Sequence, residues 1–306
     1  QEAIDITFYM AGEGRRLFGQ TTPSELPDKF NMSVRVPVGV CALVTPWNFP
    51  MAIPAWKLMP ALISGNTVVL KPATDTPLSA VNLVKILVEA GVPSGVVNLV
   101  TGSGRDVGDP LVGHPGVDLV SFTGSTEVGR RVSEVCAPLF RPCGLEMGGK
   151  NAIIVMEDAD LDLAVEGAVW GGFGTTGQRC TAASRVLVHR DVMEEFLELF
   201  TAATQRLRVG DGPDEDMDGG PLVAGAGLRR GQQCADSGKR EGLLLTGGDA
   251  LEGPQYERGH FFAPTILAGT HPTSVVAQQE IFGPVVTVIP LRGVEDAIEI
   301  CNSVQY

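Results

Sequence analysis

The chain is poor in most of what marks a nucleic-acid, membrane or metal protein. Basic residues number 23 against 36 acidic ones, for a formal net charge of −13. That balance opposes a polyanion partner, because such affinity comes from a basic surface that displaces counterions. Neither nucleic acid nor a membrane is expected to bind. Apolar stretches such as 38–44 and 151–156 are strand length, well short of the roughly 20 residues of a helical membrane span, and no signal segment is read. The only histidines, at 114, 189, 260 and 271, show neither H-x-x-x-H spacing nor a neighbouring cysteine pair, so no metal site is expected. The six cysteines, at 41, 136, 143, 180, 234 and 301, contain no C-x-x-C and no spacing of a small disulfide framework. Reduced thiols and a cytoplasmic setting follow as the expectation. With 44% apolar and 19% charged residues, the composition is that of a globular chain, not a disordered one.

What is present is alternation. Short β-branched runs at 38–44, 67–70, 96–100 and 118–122 are separated by helical patterns near 51–63, 78–90, 104–112 and 126–136. A second series follows, with runs at 153–156, 185–189, 243–246, 265–267 and 285–289 and helical patterns near 161–173 and 192–207. Such alternation predicts an α/β protein with open, mostly parallel sheets, whose ligands sit beyond the carboxyl ends of the strands. We divide the chain into the end of a helix (1–18), a polar, extended hairpin or arm (19–37), and two α/β domains (38–148 and 149–306). Gly148 and Gly149 are read as a hinge between them. Both ends look cut, since the chain starts inside a helical pattern and stops just after another.

Five segments carry candidate chemistry. Gly174-Thr-Thr-Gly-Gln-Arg-Cys180-Thr181 is a small-residue loop ending in a thiol, where backbone N–H groups can hold the oxyanion formed when sulfur adds to a carbonyl. Gly144-Leu-Glu146-Met-Gly-Gly149 sets a carboxylate among glycines at a strand end; partly desolvated, it has the raised pKa of a general base. Thr45-Pro46-Trp47-Asn48-Phe49-Pro50 is a rigid turn whose Asn48 amide is placed to donate to an oxyanion. Lys71, at the end of Val68-Val-Leu-Lys71, suits a ribose hydroxyl or phosphate. Ser121-Phe-Thr-Gly124-Ser125 ends a strand and opens a helix, offering free N–H groups and a dipole to a diphosphate. The first four each have an ordinary structural alternative when read alone: a buried apolar cysteine, a solvated carboxylate, a self-satisfied asparagine, an exposed lysine. Gly102-Ser-Gly104-Arg-Asp-Val-Gly108 is one residue too long for G-x-G-x-x-G and is read as a turn and helix start.

Together, Thr45-Pro-Trp-Asn-Phe-Pro50, Trp56-Lys57, Lys71-Pro-Ala, Phe122-Thr-Gly-Ser-Thr-Glu-Val-Gly129, Leu145-Glu-Met-Gly-Gly-Lys150, Gly177-Gln-Arg-Cys180 and Glu280-Ile-Phe-Gly-Pro284 resemble, in order and spacing, the aldehyde dehydrogenase superfamily. The resemblance covers essentially the whole chain. It implies a Rossmann-like cofactor domain, an α/β catalytic domain and an oligomerisation arm at 19–37, in a homodimer or homotetramer. It implies oxidation of an aldehyde to the carboxylic acid through a cysteine thiohemiacetal and thioester. It also implies that segments are missing at both ends, among them one that completes the substrate pocket, so that the alternative is a chain that binds nucleotide without turning over.

Carried over, the resemblance makes Cys180 the nucleophile, Glu146 the base for the hydrolytic water, and Asn48 with the Cys180 N–H the oxyanion hole. Lys57 resembles the lysine that supports the cofactor and the proton path. Thr45, Pro46, Trp47, Lys71, Thr74, Gly124, Ser125, Glu280 and Phe282 would contact NAD or NADP. Phe49, Trp56, Arg179 and Thr181 would face a small-molecule aldehyde. Members strict for NAD commonly carry a glutamate three residues after the Lys71 position; here it is Thr74, so NADP should be tolerated. Glu146 argues against the CoA-acylating branch, which typically lacks it, and Cys180 with Glu146 argues against a non-catalytic relative. Arg179, next to the nucleophile, would offer a bidentate partner to the carboxylate of an acid semialdehyde.

Overall fold

The structure, a computed structural model, describes residues 1–306, which divide into two compact units, Gln1–Met147 and Gly148–Tyr306.

In the first unit, helix α1 (Glu2–Glu13) is followed by two short exposed strands, β1 (Gln20–Thr22) and β2 (Asn31–Ser33), paired antiparallel with Gln20 opposite Ser33. The chain then alternates through β3 (Val40–Val44), α2 (Ala52–Ile63), β4 (Thr67–Lys71), α3 (Pro77–Glu89), β5 (Val97–Leu99), α4 (Asp109–Gly113), β6 (Leu119–Thr123), α5 (Thr126–Cys136) and β7 (Cys143–Glu146). The last five strands form one parallel sheet in the order β5-β4-β3-β6-β7. Side chains alternate across a strand, so each face gathers its own core. Cys41, Leu43, Val68 and Leu70 pack with Leu58 and Leu83 on one face; Ala42, Val120 and Phe122 pack with Val112 and Val132 on the other. Each fully buried Leu or Phe contributes roughly 1.5–3 kcal/mol. The helix expected near 104–112 is a π-helical turn, Gly104–Gly108, running into the short α4. Ser103 caps that turn by accepting from the Asp106 N–H at 3.0 Å, a bond that favours a helix start but sets no pitch.

The second unit runs β8 (Asn151–Val155), α6 (Leu161–Phe173), β9 (Ala183–His189), α7 (Met193–Gln205), α8 (Gly225–Glu241), β10 (Leu243–Thr246), β11 (Thr265–Ala268), α9 (Val275–Gln278), β12 (Val285–Leu291) and α10 (Val294–Asn302). Its sheet order is β10-β11-β12-β9-β8, parallel except for the antiparallel edge strand β10. Helix α6 starts where Asp160 accepts from the Leu163 N–H at 3.1 Å, and its inner face meets Phe196 and Phe200 of α7 over β9 and β12. Phe173 and Phe200 stack with centroids 5.9 Å apart.

Candidate active site

The strand order of the first unit fixes where a ligand belongs. From β3 the chain builds outward through β4 and β5, then returns to β6 and β7 on the other side. The carboxyl ends of β3 and β6 therefore border the topological switch point, where open α/β sheets bind dinucleotides. Three candidate segments end there: Thr45 to Phe49 after β3, Lys71 at the tip of the adjacent β4, and Gly124-Ser125 after β6.

The residues fit a nucleotide. Ser125 caps α5, its hydroxyl accepting from the Val128 N–H at 3.3 Å, and the other N–H groups of that first turn have no partner within the helix. A Cβ at Gly124 would press on the Phe122 ring, so only glycine lets the chain turn there against β6. Thr45 is buried and its Oγ1 has no hydrogen-bond partner, which leaves a polar atom waiting at the switch point. Lys71 is buried along its stem against Gly108, donates from Nζ to the Pro72 carbonyl at 3.1 Å, and has its pKa lowered by burial. Thr74 Oγ1 donates to the Gly102 carbonyl at 3.1 Å, and Thr76 Oγ1 to the Trp47 carbonyl at 3.4 Å. These bonds hold the segment after β4 against its neighbours.

Trp56 and Lys57 lie on α2, Trp56 exposed and Lys57 half-buried, with the Lys57 Nζ donating to the Ser121 hydroxyl at 2.9 Å. Burial pushes the Lys57 ammonium down to about 8, and the Glu146 carboxylate partly offsets this. Glu146 itself is exposed at the end of β7. The expected partial desolvation of that carboxylate is therefore absent, because the strand end projects it outward.

In the second unit the segment before Cys180 is not a loose loop. Thr175 and Thr176 both sit in the left-handed region, φ 52° and 58°, which β-branched residues rarely adopt. They are pinned there: Thr176 Oγ1 donates to the Gly220 carbonyl at 3.0 Å, and Gln178 both donates to the Pro221 carbonyl at 3.3 Å and accepts from the Val223 N–H at 3.0 Å. At Gly177, φ 66°, a Cβ would strike the Gly283 carbonyl. The half-buried Cys180 follows, its carbonyl accepting from Asn151 Nδ2 at 2.6 Å, with Thr181 exposed beside it. A cavity of about 520 Å³ opens beside this turn, walled by Trp170, Phe173, Gly174, Thr176 and Phe262.

Arg179 folds back on α6. Its Nη2 donates to the Trp170 carbonyl at 2.7 Å and the Gly171 carbonyl at 3.2 Å, and its guanidinium lies 5.0 Å from the Trp170 ring centroid. Glu280 meets the glycine pair: the Gly149 N–H donates to its Oε1 at 3.4 Å, and a Cβ at Gly148 would collide with the carboxylate. Close approach of the Glu280 carboxylate therefore gives Gly148 a reason to be glycine. Burial raises the Glu280 pKa, against the Gly149 N–H and the cations Arg230 and Lys150. Phe282 stands at φ 55° in the same segment.

Lys150 is a buried cation that the sequence did not flag. Its Nζ has no hydrogen-bond partner, and desolvation first of all pushes it down to about 7, helped by Arg185 and opposed by Cys234 and Glu280. No group of His, Cys, Asp and Glu residues is arranged to hold a metal ion.

A parallel sheet in dinucleotide-binding order and a thiol on a pinned turn mark an α/β scaffold of the nucleotide-binding class of folds. The aldehyde dehydrogenase family model matches residues 1–306, and the chain belongs to that family. It is 43% identical over 304 residues to an α-ketoglutaric semialdehyde dehydrogenase of Bacillus subtilis, covering 99% of this chain and 62% of the relative. The fold superposes with a TM-score of 0.97 and 35% identity on a betaine aldehyde dehydrogenase from Staphylococcus aureus in complex with NAD+, over 100% of this chain and 61% of that one. A 3,6-anhydro-L-galactose dehydrogenase in complex with NADP gives 0.96 and 36%, over 99% and 64%. The chain thus spans about three fifths of the length of the curated relatives it resembles. None of its helices is long and apolar enough to cross a membrane.

Proposed function

We propose that the protein oxidises an aldehyde, most suitably an acid semialdehyde, to the carboxylic acid with NAD+ or NADP+, using Cys180 as nucleophile. The observation that carries this reading is the pinned Thr175-Thr176-Gly177 turn, which presents the Cys180 thiol half-buried and uncommitted to a disulfide, in a chain of this family.

In this reading the Cys180 sulfur adds to the aldehyde carbon. The resulting oxyanion takes hydrogen bonds from the Cys180 N–H and the Asn48 side-chain amide. The bound nicotinamide supplies the hydride acceptor. The thioester left on Cys180 is hydrolysed by a water from which Glu146 removes a proton, and the free thiol returns. Lys71, Ser125 and Glu280 hold the nucleotide, with Thr45, Pro46, Trp47, Thr74, Gly124 and Phe282 beside it and Lys57 supporting it. Phe49, Trp56, Arg179 and Thr181 face the aldehyde.

Residues 38–148 then act as the nucleotide domain and 149–306 as the catalytic one. Residues 19–37 act as an oligomerisation arm of a homodimer or homotetramer. Six unpaired cysteines suit a cytoplasmic setting. The experiment is turnover of succinic or α-ketoglutaric semialdehyde against an unsubstituted aldehyde of equal chain length, followed as NAD(P)H formation. A preference of at least about tenfold in kcat/KM, or about 1.4 kcal/mol, is expected for the acid. Equal rates overturn the substrate class, and no cofactor reduction with any aldehyde overturns the activity of this chain.

A further inference from the structure

We propose that Cys136 and Cys143 are the two ends of a reversible disulfide, formed when a peroxide oxidises the chain, that ties the C-terminal end of α5 to the start of β7. The first support is juxtaposition. Cys136 is the last residue of α5 and Cys143 the first of β7. Both are free thiols, Cys143 packs against the apolar cluster that contains Cys136, and Cys143 is among the groups that raise the Cys136 pKa. A bridge needs α-carbons within about 7 Å, a demand suited to two cysteines at the facing ends of a helix-to-strand reversal packed on one apolar cluster.

The second support is the fixed turn between them. Arg141 Nη1 donates to the Val112 carbonyl, Nη2 to the His114 carbonyl at 2.8 Å, and the Arg141 N–H to the Cys136 carbonyl at 3.2 Å. Phe140 completes the reversal at φ 50°. The reversal that turns the chain from Cys136 to Cys143 is thus fixed by the fold.

The two thiols differ in access, which orders the chemistry. Cys136 is fully buried and Cys143 half-buried. Burial pushes the Cys136 thiol up, the adjacent Cys143 adds to this, and the Arg141 guanidinium offsets part of it. Cys143 therefore meets the peroxide first. Its sulfur takes one oxygen, giving a sulfenic acid and the corresponding alcohol or water. The Cys136 sulfur then attacks that sulfur; the S–OH bond breaks, and hydroxide leaves with the Cys136 proton as water. The pair has lost two hydrogens and two electrons, the peroxide has been reduced, and a small thiol restores both cysteines by exchange. The bridge joins the far ends of the two elements that Ser125 opens and Glu146 closes.

The test treats the folded chain with hydrogen peroxide, alkylates it in denaturant and digests it with trypsin. Pro142 follows Arg141, so residues 132–150 stay in one peptide holding both cysteines. The expected product is that peptide, unalkylated and lighter by two hydrogens, without backbone fragments from between the two cysteines, and restored by dithiothreitol. The oxidised chain should melt a few degrees higher than the reduced one, as expected for a short closed loop, and Cys143→Ser should lose that gain. Alkylation of both residues after peroxide, or sulfinic acid on Cys143 beside an alkylated Cys136, overturns the proposal. The wild-type peptide decides the matter even if the variant fails to fold.

Discussion

Lys57 Nζ donates a 2.9 Å hydrogen bond to the Ser121 hydroxyl, so helix α2, which packs on one face of the first unit's sheet, is tied to β6, the neighbour of the central strand β3. The bond leaves an ammonium largely out of water, which is why its pKa falls to about 8.

That shift has a consequence for stability. The unfolded lysine titrates near about 10.4, so between about pH 8 and that value the unfolded chain binds more protons than the folded one. Stability then rises with pH through this window. Below about pH 8 the full cost of burying the charge is present. Wild type should therefore gain on Lys57→Met by about 2 kcal/mol as pH is raised from about 7 to 10. Denaturant melts of both proteins across that range check it, and a constant difference contradicts it.

Arg179 has a structural task as well as a proposed one. Its Nη2 closes the end of α6 through the Trp170 and Gly171 carbonyls. Arg179→Leu should cost about 1–3 kcal/mol by removing the guanidinium's bonds to those carbonyls, of which the Trp170 carbonyl keeps the Gly174 N–H, and should also remove the preference for acid semialdehydes. Chemical denaturation reads the first and kcat/KM for paired substrates the second. Loss of stability with the preference intact assigns Arg179 to the fold alone.

Thr74 tests cofactor choice. Its hydroxyl donates to the Gly102 carbonyl, and the position carries no charge to repel a 2′-phosphate. Thr74→Glu should raise kcat/KM for NAD+ relative to NADP+ by at least about tenfold, through like-charge repulsion. An unchanged ratio places Thr74 away from the ribose.

Much of this was legible in the sequence because local and global signals agree. The β-branched runs at 38–44, 67–70 and 118–122 became the parallel strands β3, β4 and β6, and Ser125 began a helix as a capping residue should. Other features depend on distant contacts. Helix α8 is absent from the helical patterns of the sequence because it contains Gly225, Gly227, Gly231 and Gly238. One of these is a spacer: a Cβ at Gly238 would strike Leu267. The left-handed pair Thr175-Thr176 contradicts local preference and is held by bonds to Gly220 and Pro221, more than forty residues away. The seven-residue separation of Cys136 and Cys143 says nothing until a turn brings both onto one apolar cluster. Exposure also escaped prediction, and Glu146 is the example, a carboxylate among glycines that faces outward.

The most direct measurement is mass spectrometry of Glu146→Gln after mixing with aldehyde and NAD(P)+. The account predicts about one equivalent of NAD(P)H in a first burst, slow turnover afterwards, and an acyl group on Cys180 that Cys180→Ala abolishes while nucleotide still binds. A burst with no acyl adduct, or an adduct on another cysteine, contradicts it.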